Sequence, residues 1–252
     1  MDPIASLIKH LHDEGRTRVW SLVITLFGDA VQHRGGLIAT SEILRVFERL
    51  NIEAGTVRTA LSRLSSDGWV RREREGRNSF YRLSATAAQS TQEASSHIYR
   101  APMDDPQLWS LQVGGDPVRG FPLGENVWLV PGPPEGGIAV SGALSGHAEV
   151  GARAISQSHR EVLNQLDKDL ATPLGGIDDP LTALAARVLI IHRWRRIALR
   201  YPDIPPTLKL EDLPDPRTKL AHIYPKLFRM SEQCLALPLQ DVPSLTRFGV
   251  DL

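Results

Sequence analysis

The amino-acid sequence predicts an α+β fold: a largely helical N-terminal part ending in a hairpin, a small β-rich middle and an α-helical C-terminal part. Three observations predict it. Ile43, Leu44, Phe47 and Leu50 recur at helical spacing, and after a short turn so do Val57, Ala60, Leu61 and Leu64. The period then changes to two in the runs 69–75 and 79–83, which flank Gly76-Arg77-Asn78, residues that tolerate the positive φ of a tight turn. Beyond residue 106, short apolar runs are punctuated by Gly114-Gly115-Asp116-Pro117 and Pro131-Gly132-Pro133-Pro134, and from His159 the helical spacing returns.

The bulk composition narrows the class. The chain of 252 residues, 42% hydrophobic, suffices for one large domain or two to three small ones. Its formal net charge is zero, yet residues 1–100 hold 14 Lys and Arg against 11 Asp and Glu, leaving 15 against 18 for the remainder. The modest cationic excess therefore lies with the N-terminal part. The single cysteine, Cys234, excludes an intrachain disulfide framework and a cysteine-rich zinc site. On its apolar stripe it reads as an inert buried thiol. No run is apolar enough to span a bilayer, and MDPIASLIKHLHDEG lacks a cationic start followed by an unbroken apolar core. The expectation is a soluble, cytoplasmic protein without a membrane partner.

Taken in order, residues 3–12 make a short helix with Ile4, Leu7, Ile8 and Leu11 on one face. The next helix, from about Thr17 to Val31, is apolar nearly all round and is therefore expected to be buried. Arg34-Gly35-Gly36 turns the chain into Leu37-Ile38-Ala39, short enough to be the small strand that pairs with a wing. The two amphipathic helices and the hairpin complete a winged helix-turn-helix, residues 1–84. Its second helix turns the Val57 stripe to the core. Gly55, Thr59, Ser62 and Ser66 then lie opposite, with Thr56, Arg58 and Arg63 on the shoulders. Short side chains let the backbone approach a polyanion, and arginine grips a phosphate or pairs bidentately with guanine, so this face suits duplex DNA. Arg71, Arg72, Arg74, Arg77, Asn78 and Tyr81 add to it from the hairpin. The plainer reading, a solvated face on a protein-binding module, stands beside this one.

Residues 85–106 read as a connecting helix or linker, closed by Pro102, Asp104, Asp105 and Pro106. In the middle domain, 107–156, the runs Trp109–Val113, Asn126–Val130 and Gly137–Leu144 look like strands. The C-terminal domain, 157–252, starts with an amphipathic helix bearing Val162, Leu163, Leu166 and Leu170. Asp179-Pro180 then offers an N-cap and an N1 proline for a long helix that stops at Tyr201-Pro202. Asp215-Pro216 opens the last helix, which Pro225 should kink.

A resemblance covers much of this chain. Val57-Arg58-Thr59-Ala60-Leu61-Ser62-Arg63-Leu64, then Asp67-Gly68-Trp69, Gly76-Arg77 and Tyr81-Arg82-Leu83-Ser84, resemble the N-terminal domain of the PaaX family of phenylacetic-acid-degradation repressors. Upstream, Ser21 to Asp29 and Arg34-Gly35-Gly36 match as well, and Leu189 to Pro206 is similar to the family's C-terminal domain. The resemblance implies a middle domain of ferredoxin-like fold akin to the Cas2 nuclease. Here a dozen residues separate the first two strands, too few for a full crossover helix, so a reduced module is expected. Where the family offers a serine-like N-cap to the recognition helix, this chain has Glu53, a poorer one. The resemblance further implies a homodimeric repressor of a catabolic operon, released from its operator by a small-molecule effector such as an aryl-acyl-CoA.

Catalytic signatures are absent. There is no Gly-x-Ser-x-Gly elbow, no phosphate-binding Gly-rich loop with Lys-Ser/Thr and no His-Glu-x-x-His helix. Neither catalytic residues nor a metal or cofactor is expected, and a metal-dependent nuclease is the remoter alternative. His192, Arg195 and Arg196 fall on one helix face and read either as an anion pocket for the effector or as cations complementing a helix C-terminus, with His192 satisfied in the core. Trp109, Trp128 and Trp194 are candidates to line an aromatic ligand pocket, and the plainer reading makes them ordinary core.

Overall fold

Apolarity on every side fixes the place of helix α2 (Val19–Leu26), whose residues are all buried except Trp20. The computed structural model describes residues 2–13, 18–104, 106–117, 120–145, 155–171, 176–208, 213–235 and 245–252. Thr17, Asp105 and the 146–154 end of the middle domain, which figure in the sequence expectations, lie outside them. The chain is α+β, with a helical N-terminal region, a β-rich middle and a helical C-terminus. Two compact units cut across chain order. Residues 1–101, 168–195 and 217–252 form one, and 102–167 with 196–216 the other.

In the first unit, α1 (Ala5–Asp13) buries Leu7, Ile8 and Leu11. Where the sequence predicts an uninterrupted helix to Val31, the structure widens the end of α2 into a π-helical turn, Phe27–Val31, followed by a 3-10 turn, Gln32–Arg34. Periodicity reports only the apolar character here; the turn is shaped around Asp29, which is buried and bonded from distant parts of the chain. Strand β1 (Leu37–Ala39) leads into α3 (Thr40–Arg49) and, after a short turn, α4 (Ala54–Ser66). Strands β2 (Val70–Glu75) and β3 (Asn78–Leu83) make an antiparallel hairpin, and β1 pairs with β3, so the sheet order is β1-β3-β2. The loop is the two residues Gly76 and Arg77, with positive φ at Gly76 alone, the pattern of a II′ turn.

Helix α5 (Ala85–Ile98) follows β3 directly, its first turn capped by the Ser84 hydroxyl accepting from the Ala87 N–H at 3.2 Å. It packs on the π turn, where a Cβ on Gly28 would lie 2.6 Å from Cγ2 of Thr91. The far end of α6 (Gln157–Leu170) also belongs to this unit, with most of α7 (Pro180–Ala198), α8 (Pro216–Ser231) and a terminal hairpin, β8 (Thr246–Arg247) and β9 (Val250–Asp251). Asp179 caps α7 by accepting the Thr182 N–H at 2.8 Å. Residues 183–191 of α7 are all buried, and one of them is an arginine, Arg187. Pro225 sits inside α8 without ending it.

The second unit holds a four-stranded antiparallel sheet of β4 (Trp109–Val113), β5 (Phe121–Gly124), β6 (Val127–Pro131) and β7 (Ile138–Gly142), in the order β5-β6-β4-β7. Strand β5, too short and proline-bearing, had no signal of its own in the sequence. Trp109, Phe121 and Leu129 share one face of the sheet and pack with Leu208. The imidazole of His159 stacks on Tyr201 at 4.1 Å.

Candidate nucleic-acid interface

Helix α4 is the element on which the interface is built. Val57, Ala60, Leu61 and Leu64 are buried, and α4 packs across α2. Gly55, Thr56, Arg58, Thr59, Ser62 and Arg63 are all exposed on the other side. The backbone start of α4 receives no side-chain cap from Glu53. The Thr59 hydroxyl donates to the carbonyl of Gly55 at 2.9 Å, and Arg63 lies 3.7 Å from Asp67 in an exposed pair that contributes little.

Between α4, the start of α3 and the hairpin lies an open cleft of about 620 Å³. Arg58 and Ser62 line it from α4, and Arg72, Arg77, Asn78 and Tyr81 from the hairpin. Its lining contains three arginines and no carboxylate. Thr40 and Ser79, which sequence pattern does not single out, complete the wall. The Thr40 hydroxyl donates to the Ser79 carbonyl at 2.8 Å, tying α3 to the hairpin. Arg72 donates to the Ser79 hydroxyl at 2.7 Å, whereas Arg58, Arg71, Arg74 and Arg77 have no ion-pair partner among the described residues.

The hairpin register sorts the remaining residues. Val70, Arg72 and Arg74 share the face of Ser79, Tyr81 and Leu83, which turns toward the core and the cleft. Arg71, opposite Arg82, lies on the other face, where Arg82 pairs with Glu73 at 2.6 Å. Tyr81 is only 8% exposed, so it walls the cleft as part of the core.

The candidate effector residues are divided between the two units. In the four-stranded sheet, Trp109 faces the buried core, and Trp128, one position out of phase, is on the opposite face. In the first unit, His192 is buried beside the Thr25 hydroxyl at 3.0 Å, and the Trp194 indole donates to the Ile98 carbonyl at 2.7 Å. Arg195 donates to the Ser21 hydroxyl at 2.8 Å, and Arg196, in the second unit, is exposed. Among the described residues no group of three or more His, Cys, Asp or Glu is placed to hold a metal ion, and no helix is long and apolar enough to cross a membrane.

A buried charge cluster gathers around Asp29, in the turn that closes α2. Asp29 Oδ2 accepts from Arg187 at 2.7 Å, and Oδ1 accepts from Arg247 at 2.7 Å, from Tyr99 at 2.6 Å and from Tyr224 at 2.7 Å. Its carbonyl takes Arg187 at 2.5 Å and Arg247 at 2.9 Å. Burial raises the Asp29 carboxyl, but the two guanidinium groups, together with the hydroxyls of Tyr99 and Tyr224 that donate to it, outweigh burial and hold the group below its usual range. Arg187 also donates to Glu232 at 2.7 Å, and the other oxygen of Glu232 meets His33 at 2.9 Å. Burial depresses the His33 imidazole despite that carboxylate. Cys234 is half-buried, its thiol pushed up by burial, with its carbonyl bonded by Arg45 at 2.7 Å.

Residues 18–87, which include α2 to β3, match the family model described as PaaX-like protein, and residues 151–236 match that of the PaaX-like protein C-terminal domain. The chain is 39% identical over 101 residues to the transcriptional repressor PaaX of Escherichia coli (strain K12). That alignment covers 40% of this chain and 32% of the length of the relative, so the likeness spans about a third of the latter. With matches to both parts of the family, at its two ends and over more than half of its length, the chain belongs to the PaaX-like proteins.

Proposed function

We propose that this protein is a sequence-specific, DNA-binding transcriptional repressor whose N-terminal 84 residues form a winged helix-turn-helix. The observation that carries the reading is the cleft between α4 and the hairpin, walled by Arg58, Arg72 and Arg77 without a carboxylate. Helix α4 enters the major groove with Arg58, Ser62 and Arg63 toward the base edges, while Arg74, Arg77 and Asn78 hold the phosphate backbone or probe the minor groove. The relative's description as a transcriptional repressor supports this assignment.

Two copies on a two-fold operator follow from the usual symmetry of such readers. As the family resemblance implies, an acyl-CoA effector releases the DNA, which requires that it bind the DNA-incompetent state more tightly. Residues 85–106 then serve as the connection, and the helices of 157–252 as the regulatory part, in a cytoplasmic protein. The strand order β5-β6-β4-β7, with no helix in either crossover among the described residues, supports reading 107–156 as a ferredoxin-like sheet stripped of its helices.

Selection from a random duplex pool with the purified protein tests the reading. An enriched two-fold motif is expected. Recovery of no motif would move the assignment to a protein-binding module.

A further inference from the structure

The last eight residues form a small structure that touches the turn after α2 and the end of α5, helices that pack on or follow the elements of the cleft, while lining none of it. β8 and β9, two residues each, are joined through Phe248 at φ 55° and Gly249 at φ 78°. Positive φ at both central residues is the I′ hairpin turn, which favours Asn-Gly or Asp-Gly and strains a phenylalanine in first place. Packing holds Phe248 there: it is 1% exposed, with its ring edge-on to Tyr99 and Tyr224 at 5.5 and 5.4 Å. A hairpin this short has no stability of its own, so docking is what orders it.

The docking is specific. Arg247 lays its guanidinium 4.1 Å over the Tyr99 ring, donates to the carboxylate and carbonyl of Asp29 and meets the Tyr224 hydroxyl. The Phe248 N–H donates to the Tyr99 carbonyl at 2.7 Å. Both anchors stand at helix ends. Asp29 lies in the turn that closes α2, the helix packed across α4. Tyr99 closes α5, which begins directly after β3 and spans about 21 Å at 1.5 Å per residue. One hairpin thus pins together the far ends of two helices that support α4 and the hairpin of the cleft. In a close-packed interior, displacement of those ends is transmitted along the helices.

We propose that residues 245–252 are a latch for the DNA interface, with Arg247 and Phe248 as positioning residues: seated, the hairpin holds α4 and β2–β3 in their duplex-binding arrangement, and unseated it lowers affinity. The proposal rests on the DNA-binding reading above.

Two full-length variants test it. Arg247→Ala removes the guanidinium. Gly249→Ala keeps every charge but adds a methyl at positive φ, 3.0 Å from the Cβ of Ala101. Each is titrated, with wild type, against the duplex that wild type selects. The titrations run across a salt series, with guanidinium chloride at millimolar concentration compared with sodium chloride at equal ionic strength, and with circular dichroism as the folding control. The latch predicts affinity lower by about tenfold or more in both variants. The salt slope should be unchanged, because every side chain that grips a phosphate is still in place. Guanidinium should restore Arg247→Ala and leave Gly249→Ala as it was. Wild-type affinity in folded variants overturns the latch alone; should Arg247→Ala not fold, Gly249→Ala decides by itself. Absence of any duplex binding by wild type removes the DNA reading, and the latch with it.

Discussion

Arg187 and Asp29 stand 158 positions apart and share a hydrogen-bonded ion pair of 2.7 Å with neither side chain more than 1% exposed. Each is the lone charge in an apolar helical stretch, and each makes the other tolerable. A buried carboxylate or guanidinium left by itself is far less stable than the same pair replaced by apolar groups of similar volume.

Arg187→Met should therefore cost roughly 3–5 kcal/mol, because it strands Asp29 with Arg247 as its remaining cation. Adding Asp29→Asn to it should cost less than the sum of the two single changes, since the two positions are in contact and their effects do not add, but should not restore wild-type stability, because it leaves buried Arg247 without its carboxylate. Urea unfolding measures both. A midpoint for Arg187→Met equal to that of wild type would show that the pair contributes nothing to stability.

Acid should destabilise the protein in two stages. Burial lowers the His159 imidazole from 6.5 to about 4, and that of His33 is lowered too. Below pH 6.5 the unfolded chain takes up protons that the folded chain refuses, so stability present above that pH is lost as pH falls toward about 4. Asp29 and Glu232, both held below their ordinary values, add a second loss at lower pH, where they must be protonated. Thermal melts from neutral pH downward should show Tm falling first through the histidine range. His159→Phe, which keeps a ring against Tyr201 and cannot titrate, should flatten that upper stage; an unaltered profile would exclude His159 as its source.

Gly28 is needed for close packing rather than for conformation. A Cβ there falls 2.6 Å from Cγ2 of Thr91, so Gly28→Ala should cost about 1–3 kcal/mol by overpacking α5 against the π turn. Thr91→Ala removes the clashing methyl, and the double variant should regain most of the loss. Equal stability of Gly28→Ala and wild type in urea would mean that α5 yields at no cost.

What the sequence made legible was local. The stripe of Val57, Ala60, Leu61 and Leu64 gave the orientation of α4, and with it the exposed face from Gly55 to Arg63, because one helical period decides both. The pairing of Leu37-Ile38-Ala39 with the hairpin followed from its length and place. Residues joined only by tertiary structure escaped. Asp29 and Arg187 drew no attention in the sequence, although a lone acid and a lone base in two apolar helices are the signal that matches them. Arg71 and Arg72 were grouped together, yet neighbours on a strand point to opposite faces, so both could not face the cleft. The terminal hairpin carried a phenylalanine where turn chemistry expects Asn or Asp, because packing against Tyr99 and Tyr224 selects that residue.

The most direct test of the DNA-binding reading is the salt dependence of duplex affinity, measured for wild type and for the double variant Arg58→Ala, Arg77→Ala. These two cleft arginines have no ion-pair partner among the described residues. If each neutralises one phosphate, the slope of log affinity against log salt should be steep for wild type. In the double variant it should be shallower by roughly 2, at about 0.9 for each phosphate left without its arginine. Weak, salt-insensitive binding by wild type, or an affinity and slope unaltered by removing both arginines, would contradict the account.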